Sequence, residues 1–244
     1  MSSTINAPMA APPPGVLAAT QPLIQVVGRQ RDPDLAAHQI GKKIEHEVVV
    51  MRRQSAQMDA TRIATLMHRR VDRHMVDRDK RDPHGTADVK CSRGCNACCY
   101  QNVSVSEPEA RLAFESAHQA GHKIDAERVR KQATHGMQAY QDELTHAERR
   151  CVMLREDGDC AIYANRPSAC RTYRVVSEPA LCDTVSNAHG IILSLTTPYA
   201  EVVVSAAMRS FRYGSFAAFL LEFGGAAEAQ IHPTTDHQPE GVEA

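Results

Sequence analysis

Cys91-Ser92-Arg93-Gly94-Cys95-Asn96-Ala97-Cys98-Cys99 is the stretch around which the chain is organised: four of the eight cysteines fall within nine positions. The other four, Cys151, Cys160, Cys170 and Cys182, follow after an insert, and no cysteine precedes 91 or follows 182. Random usage would scatter eight cysteines along the chain. Clustering them gathers thiolates, and a soft metal is the simplest reason to gather thiolates.

Outward from this cluster, the composition is that of a folded protein. Of 244 residues, 43% are hydrophobic and 23% charged, with no tryptophan and only 5% aromatics. A small or stapled core fits this better than a large sheet sandwich. A net charge of -1 gives no reason to expect wholesale binding of nucleic acid or an anionic membrane. Residues 1–20 lack the basic and apolar regions of a signal peptide, and no apolar run of about 18 residues is present, so no membrane span is expected. The expected location is the cytoplasm, where thiols stay reduced and clustered cysteines serve metal or redox sites more often than disulfides.

Four segments follow in order. Residues 1–31, with Pro12-Pro13-Pro14-Gly15, read as a disordered tail. Residues 32–82 read as a long amphipathic helical arm. Ile40, Ile44, Val48, Met51, Ile63, Met67, Val71 and Met75 recur at helical spacing, with a break expected near Arg53 to Ser55. Such an arm either mediates dimerisation or partner binding through residues 34–80, or packs on its own domain. Residues 83–228 read as the cysteine domain with C-terminal helices, and 229–244 as a second tail.

Within the cysteine domain, Gln101 to Val105 reads as a short strand. Ser106-Glu107-Pro108-Glu109 reads as a capped helix start. Asp125 caps a second helix, expected to run to Ala139. Cys151 to Leu154 and Cys160 to Tyr163, around Glu156-Asp157-Gly158-Asp159, read as a hairpin. Helices are expected over 199–208 and 215–223, the last ending at Gly224-Gly225. The fold class is α+β, mostly helical: a small cysteine-chelated core with a short hairpin, flanked by the N-terminal helix and C-terminal helices.

Cys95-Asn96-Ala97-Cys98 is a C-x-x-C pair, a spacing that lets two sulfurs from one turn reach one ion. Four thiolates suit tetrahedral zinc, with sulfur at about 2.3 Å, or an iron–sulfur cluster. Cys98 and Cys99 are adjacent, so their side chains are expected to point apart and not to share one ion. Arg166, Arg171 and Arg174 either bind an anion or offset thiolate charge. His84, His118, His122, His135, His146 and His189 show no metal spacing with the cysteines. No phosphate-cradling loop, nucleophile elbow or dinucleotide fingerprint is present, and no catalytic residue is identified.

Cys91-x3-Cys95-x2-Cys98-Cys99, followed by Gly158-Asp159-Cys160-Ala161-Ile162-Tyr163 and Arg166-Pro167-Ser168-Ala169-Cys170-Arg171, resembles the YkgJ-type cysteine-cluster family. That family carries a zinc- or iron-chelating domain with a CxxCxxCC signature. The resemblance spans residues from about 88 to 182 and implies a zinc or iron cofactor. It also implies a ligand set of Cys91, Cys95, Cys98, Cys99, Cys151, Cys160 and Cys170, with Cys182 outside the strongest motif. A related branch includes flagellin lysine N-methylases. Three functional classes therefore stand open: a metal-binding protein of unassigned reaction, an iron–sulfur enzyme (an oxidoreductase or a lysine methylase-like protein), and an adaptor built on a structural zinc core. On this reading Cys95→Ser costs metal and fold together, and Cys182→Ser costs less.

Overall fold

The computed structural model describes residues 33–182 and 191–231. The N-terminal stripe resolves into two helices, α1 (Pro33–Ser55) and α2 (Ala60–Arg81), with the break just after Ser55. Asp59 ends the break: its Oδ1 accepts the Arg62 backbone N–H at 2.8 Å, satisfying a donor that has no partner within the helix. Arg78, Lys80 and Arg81 occupy the last turn, where cations complement the negative helix end. Asp82 then accepts the Gly85 N–H at 2.8 Å and starts the short α3 (Pro83–Ala87).

The stripe is covered by a helix from the other end of the chain, α9 (Pro198–Ser210). Ile44, Met51, Ile63, Met67 and Val71 form one buried cluster with Ala200, Val202, Val203, Val204, Ala206 and Ala207. Each large-to-small change in such a cluster costs about 2–5 kcal/mol, so this contact is a main support of the fold.

A second cluster holds the cysteine-bearing half. It joins Ala110, Ala113 and Ala117 of α4 (Glu107–Gln119), Val129 of α5 (Ala126–Ala133), Val152, Met153 and Ile162, and Phe216, Phe219, Leu220 and Phe223 of α10 (Phe216–Ile231). The capping box at the start of α4 forms as its residues dictate. Glu109 Oε2 accepts from the Ser106 N–H at 3.2 Å and from the Ser106 hydroxyl at 2.7 Å. The helix capped by Asp125 stops at Ala133. Gly136 separates it from α6 (Met137–Asp142), and Thr145 caps α7 (His146–Arg149). The C-terminal helix runs through Gly224-Gly225 to Ile231 instead of ending at them. The tails expected at 1–31 and 229–244 lie outside the described residues, apart from the last turn of α10.

The two-stranded antiparallel sheet joins distant segments. β1 (Ser104–Ser106) pairs with β2 (Tyr213–Ser215) in the register Ser104↔Ser215, Val105↔Gly214, Ser106↔Tyr213. The turn around Gly158, where the sequence suggests a hairpin, closes through one bridge, Leu154↔Cys160. Its first strand is diverted because the Cys151 N–H donates to the Cys99 carbonyl at 2.7 Å.

Ion pairs dock the helical wall onto the cysteine half at the short α8 (Ser168–Thr172). Arg171 NH1 donates to both Asp72 oxygens, at 3.0 and 2.8 Å, and Arg174 reaches both Asp79 oxygens, at 2.8 and 2.7 Å. Asp79 is thereby held below the usual carboxylate range, chiefly by its bonds to Arg174. Among the described residues, no helix is long and apolar enough to cross a membrane.

Candidate metal centre

Four short segments carry the cysteines, and each is fixed by backbone hydrogen bonds. The first begins where the Lys90 N–H donates to the Val175 carbonyl at 2.9 Å. The Val175 N–H in turn donates to Cys91 Sγ at 3.3 Å. The chain then turns at Gly94, whose φ of +87° favours glycine, and the Cys95 N–H donates to the Ser92 carbonyl at 3.1 Å. Cys98 and Cys99 sit in a 3-10 turn, Ala97–Tyr100.

The second segment is the Gly158 turn, which bears Cys151 and Cys160 at its two ends. Gly158 also has a φ of +87°, and a Cβ there would lie 2.7 Å from Asn96 Nδ2. That atom donates to the Gly158 carbonyl at 3.3 Å, so the two cysteine turns lie against each other. The third segment is α8, which carries Cys170. The fourth is a 3-10 turn, Pro179–Cys182, where Gln101 Nε2 donates to the Cys182 carbonyl at 2.7 Å.

Thiols from all four segments are close enough to influence one another's ionisation, and Cys98 is the common neighbour. It acts on Cys91, Cys99, Cys151, Cys170 and Cys182. Burial is the first cause that raises the thiols of Cys91, Cys160 and Cys170, and it pushes those of Cys151 and Cys182 up to about 11. Neighbouring thiols add to the rise at Cys91, Cys151, Cys170 and Cys182. Cys98 moves the other way. The Cys99 thiol within hydrogen-bond reach lowers it, as does the Arg166 guanidinium, and Cys99 is raised in turn. The adjacent pair shares the 3-10 turn Ala97–Tyr100.

The arginines divide their roles. Arg171 and Arg174 are engaged by Asp72 and Asp79, whereas Arg166 stacks over Tyr163 at 4.0 Å and faces the thiols. Only Arg166 of the three lowers Cys98, Cys160 and Cys170 together. The histidines have other contacts: His122 meets the Val152 carbonyl at 2.8 Å, and His146 stacks on Tyr100 at 4.0 Å. His189 lies outside the described residues.

Among the described residues, no three His, Cys, Asp or Glu side chains converge on a single point as bound ligands do. The donor chemistry nonetheless fits a soft cation. The thiols are neighbours, each is at least partly buried, and burial and mutual repulsion oppose ionisation of most of them until a positive ion offsets the charge.

Cys182 is the residue whose place the sequence understates. It is 3% exposed, it bonds with Tyr173, and the thiols of Cys98, Cys91 and Cys95 lie within electrostatic reach of it. Tyr173 itself is pushed up to about 12 by burial and by the Cys182 thiol. Its position three residues after Cys170 carries no recognisable signal.

Residues 90–189 match the family model CxxCxxCC, described as a "Putative zinc- or iron-chelating domain". Comparison with curated proteins and with solved structures gave no match.

Proposed function

We propose that the chain binds zinc or iron through the thiolates of the CxxCxxCC domain at residues 90–189. The ligands come from Cys91, Cys95, Cys98, Cys99, Cys151, Cys160 and Cys170, joined by Cys182. The carrying observation is that four separate segments bring Cys91, Cys99, Cys151, Cys170 and Cys182 within electrostatic reach of Cys98. A bound thiophilic cation neutralises the cluster and ties together loops far apart in sequence, so its binding energy adds to the stability of this half of the molecule. The α1–α2 stripe is buried beneath α9, which supports reading these helices as the wall of the same unit rather than as a partner-binding arm.

The test is metal analysis with an absorption spectrum on protein purified without oxygen. At least one zinc or iron per chain, lost on substitution of Cys95, is the expected result. Iron accompanied by inorganic sulfide and colour identifies a cluster, and colourless zinc identifies a thiolate site. Metal-free protein from metal-supplemented cells overturns the proposal.

A further inference from the structure

A cavity of about 450 Å³ lies where α1, α2 and α9 meet, in the half of the molecule built without the cysteine segments. Its size falls within the range of about 300–1,000 Å³ typical of small-ligand sites. Lys42, Lys43, His46 and Glu47 of α1, His74 of α2, and Tyr199, Val202 and Val203 of α9 line it.

The charges are unequal. Arg70 already engages Glu47, so the one carboxylate in the lining is matched. Among the described residues no carboxylate pairs with Lys42 or Lys43. Lys43 rests its ammonium 5.2 Å from the Tyr199 ring centroid. Around His74, Arg73 and Asp77 carry opposite charges. Two lysines with no carboxylate partner among the described residues therefore line the cavity, together with two imidazoles.

The remaining wall is apolar and aromatic. Val202 and Val203 are 4% and 1% exposed, forming a fixed floor. Tyr199 is 42% exposed, unusual for a large ring, and His74 stacks beside it at 5.7 Å and 28°. An exposed ring over a buried aliphatic floor offers a surface for a flat organic group, next to the cations that would hold an anion.

We propose that this cavity binds a small phosphate ester, with its dianionic phosphate on Lys42 and Lys43 and its organic group against Tyr199 and the valine floor. A bare carboxylate would use the lysines without needing the ring. The site is independent of the cysteine cluster, so its test stands whatever metal the chain holds.

The experiment is an NMR titration of the full-length protein as purified, following the imidazole C–H signals of His46 and His74. The probes are a nucleoside monophosphate and, separately, inorganic phosphate. Saturable shifts of both histidines are expected with the nucleotide, which binds more tightly than phosphate. Lys42→Ala with Lys43→Ala is expected to weaken nucleotide binding by roughly tenfold or more, since two exposed cations are removed without disturbing the core. Tyr199→Leu is expected to weaken the nucleotide but not inorganic phosphate. Equal binding of both probes, insensitive to Tyr199→Leu, overturns the assignment to an ester. Absence of shifts with either probe, or shifts unchanged by the lysine substitutions, overturns the site.

Discussion

Glu109→Gln isolates one carboxylate that joins three elements. Oε2 closes the capping box on Ser106, while Oε1 meets His68 Nε2 at 3.3 Å and accepts the Ser168 N–H at 2.7 Å. The residue is 3% exposed and touches α2, the start of α4 and the start of α8, two residues before Cys170. Burial alone would raise its carboxyl. The His68 contact and the Ser168 bond outweigh burial and bring it down to about 2, from an ordinary 4.5. A depression of this kind contributes roughly 3 kcal/mol of folding stability at neutral pH. Glutamine keeps the shape but loses the charge and cannot accept from every partner, so a loss of about 2–3 kcal/mol is expected. For a chain of this size that lowers Tm by about 4–12 °C.

The sign of the pH effect follows from the depressed value. The contribution is complete above the unfolded pKa of 4.5 and is lost as pH falls from there toward 2. The gap between parent and Glu109→Gln, measured by urea unfolding at matched metal loading, should therefore narrow on acidification. At about pH 3.5 it should be smaller by about 1 kcal/mol. A gap below about 0.5 kcal/mol at neutral pH, or one that does not change down to about pH 3.5, would refute the assignment of charge and partners.

Other outcomes follow from the same packing. Cys95→Ser should abolish metal binding but leave most far-ultraviolet helicity, because the α1–α2–α9 cluster contains no cysteine; loss of helicity with the metal would restore the expectation that both go together. Cys182→Ser should also lower metal content, read by elemental analysis, given its burial beside Cys91, Cys95 and Cys98; unchanged content would remove it from the ligand set. Gly158→Ala should cost about 1–2 kcal/mol, since a side chain at a φ of +87° is strained and its Cβ displaces the Asn96 amide; equal thermal stability would contradict this. A double-mutant cycle on Arg174 and Asp79 should give a coupling of about 1–2 kcal/mol in urea unfolding, and a coupling near zero would show that the two-oxygen contact is idle.

Local features were the most legible in the sequence. Ser106 and Glu109 are three residues apart, so the capping box could be read directly, but the use of the other carboxylate oxygen depends on His68 and Ser168, which are distant in sequence. Cysteine spacing pointed to thiolate chemistry; it could not show that Cys182 turns inward, because that depends on Tyr173 and Gln101. The apolar stripe of α1 and α2 was visible from its period, whereas its cover, α9, lies more than a hundred residues away. The Gly158 turn was legible from Asp157-Gly158, but not its failure to extend a ladder, which follows from Cys151 bonding back to Cys99. Tyr213–Ser215 escaped notice because three residues carry no period; Gly224-Gly225 misled because packing of the preceding turn outweighs the intrinsic cost of glycine within a helix.

The two arginine–aspartate pairs fix where Cys170 sits. Asp72 and Asp79 lie seven residues apart on α2, and Arg171 and Arg174 grip both from the segment that carries Cys170. Two anchor points about 10 Å apart along one rod fix that segment against both sliding and rotation. The rod owes its own burial to apolar contacts that contain no cysteine. Cys170 thus sits on a segment positioned by the helical frame, independently of the turns that carry the other cysteines. On the proposed reading, removal of the metal leaves this frame standing, because the helices that build it pack without any cysteine.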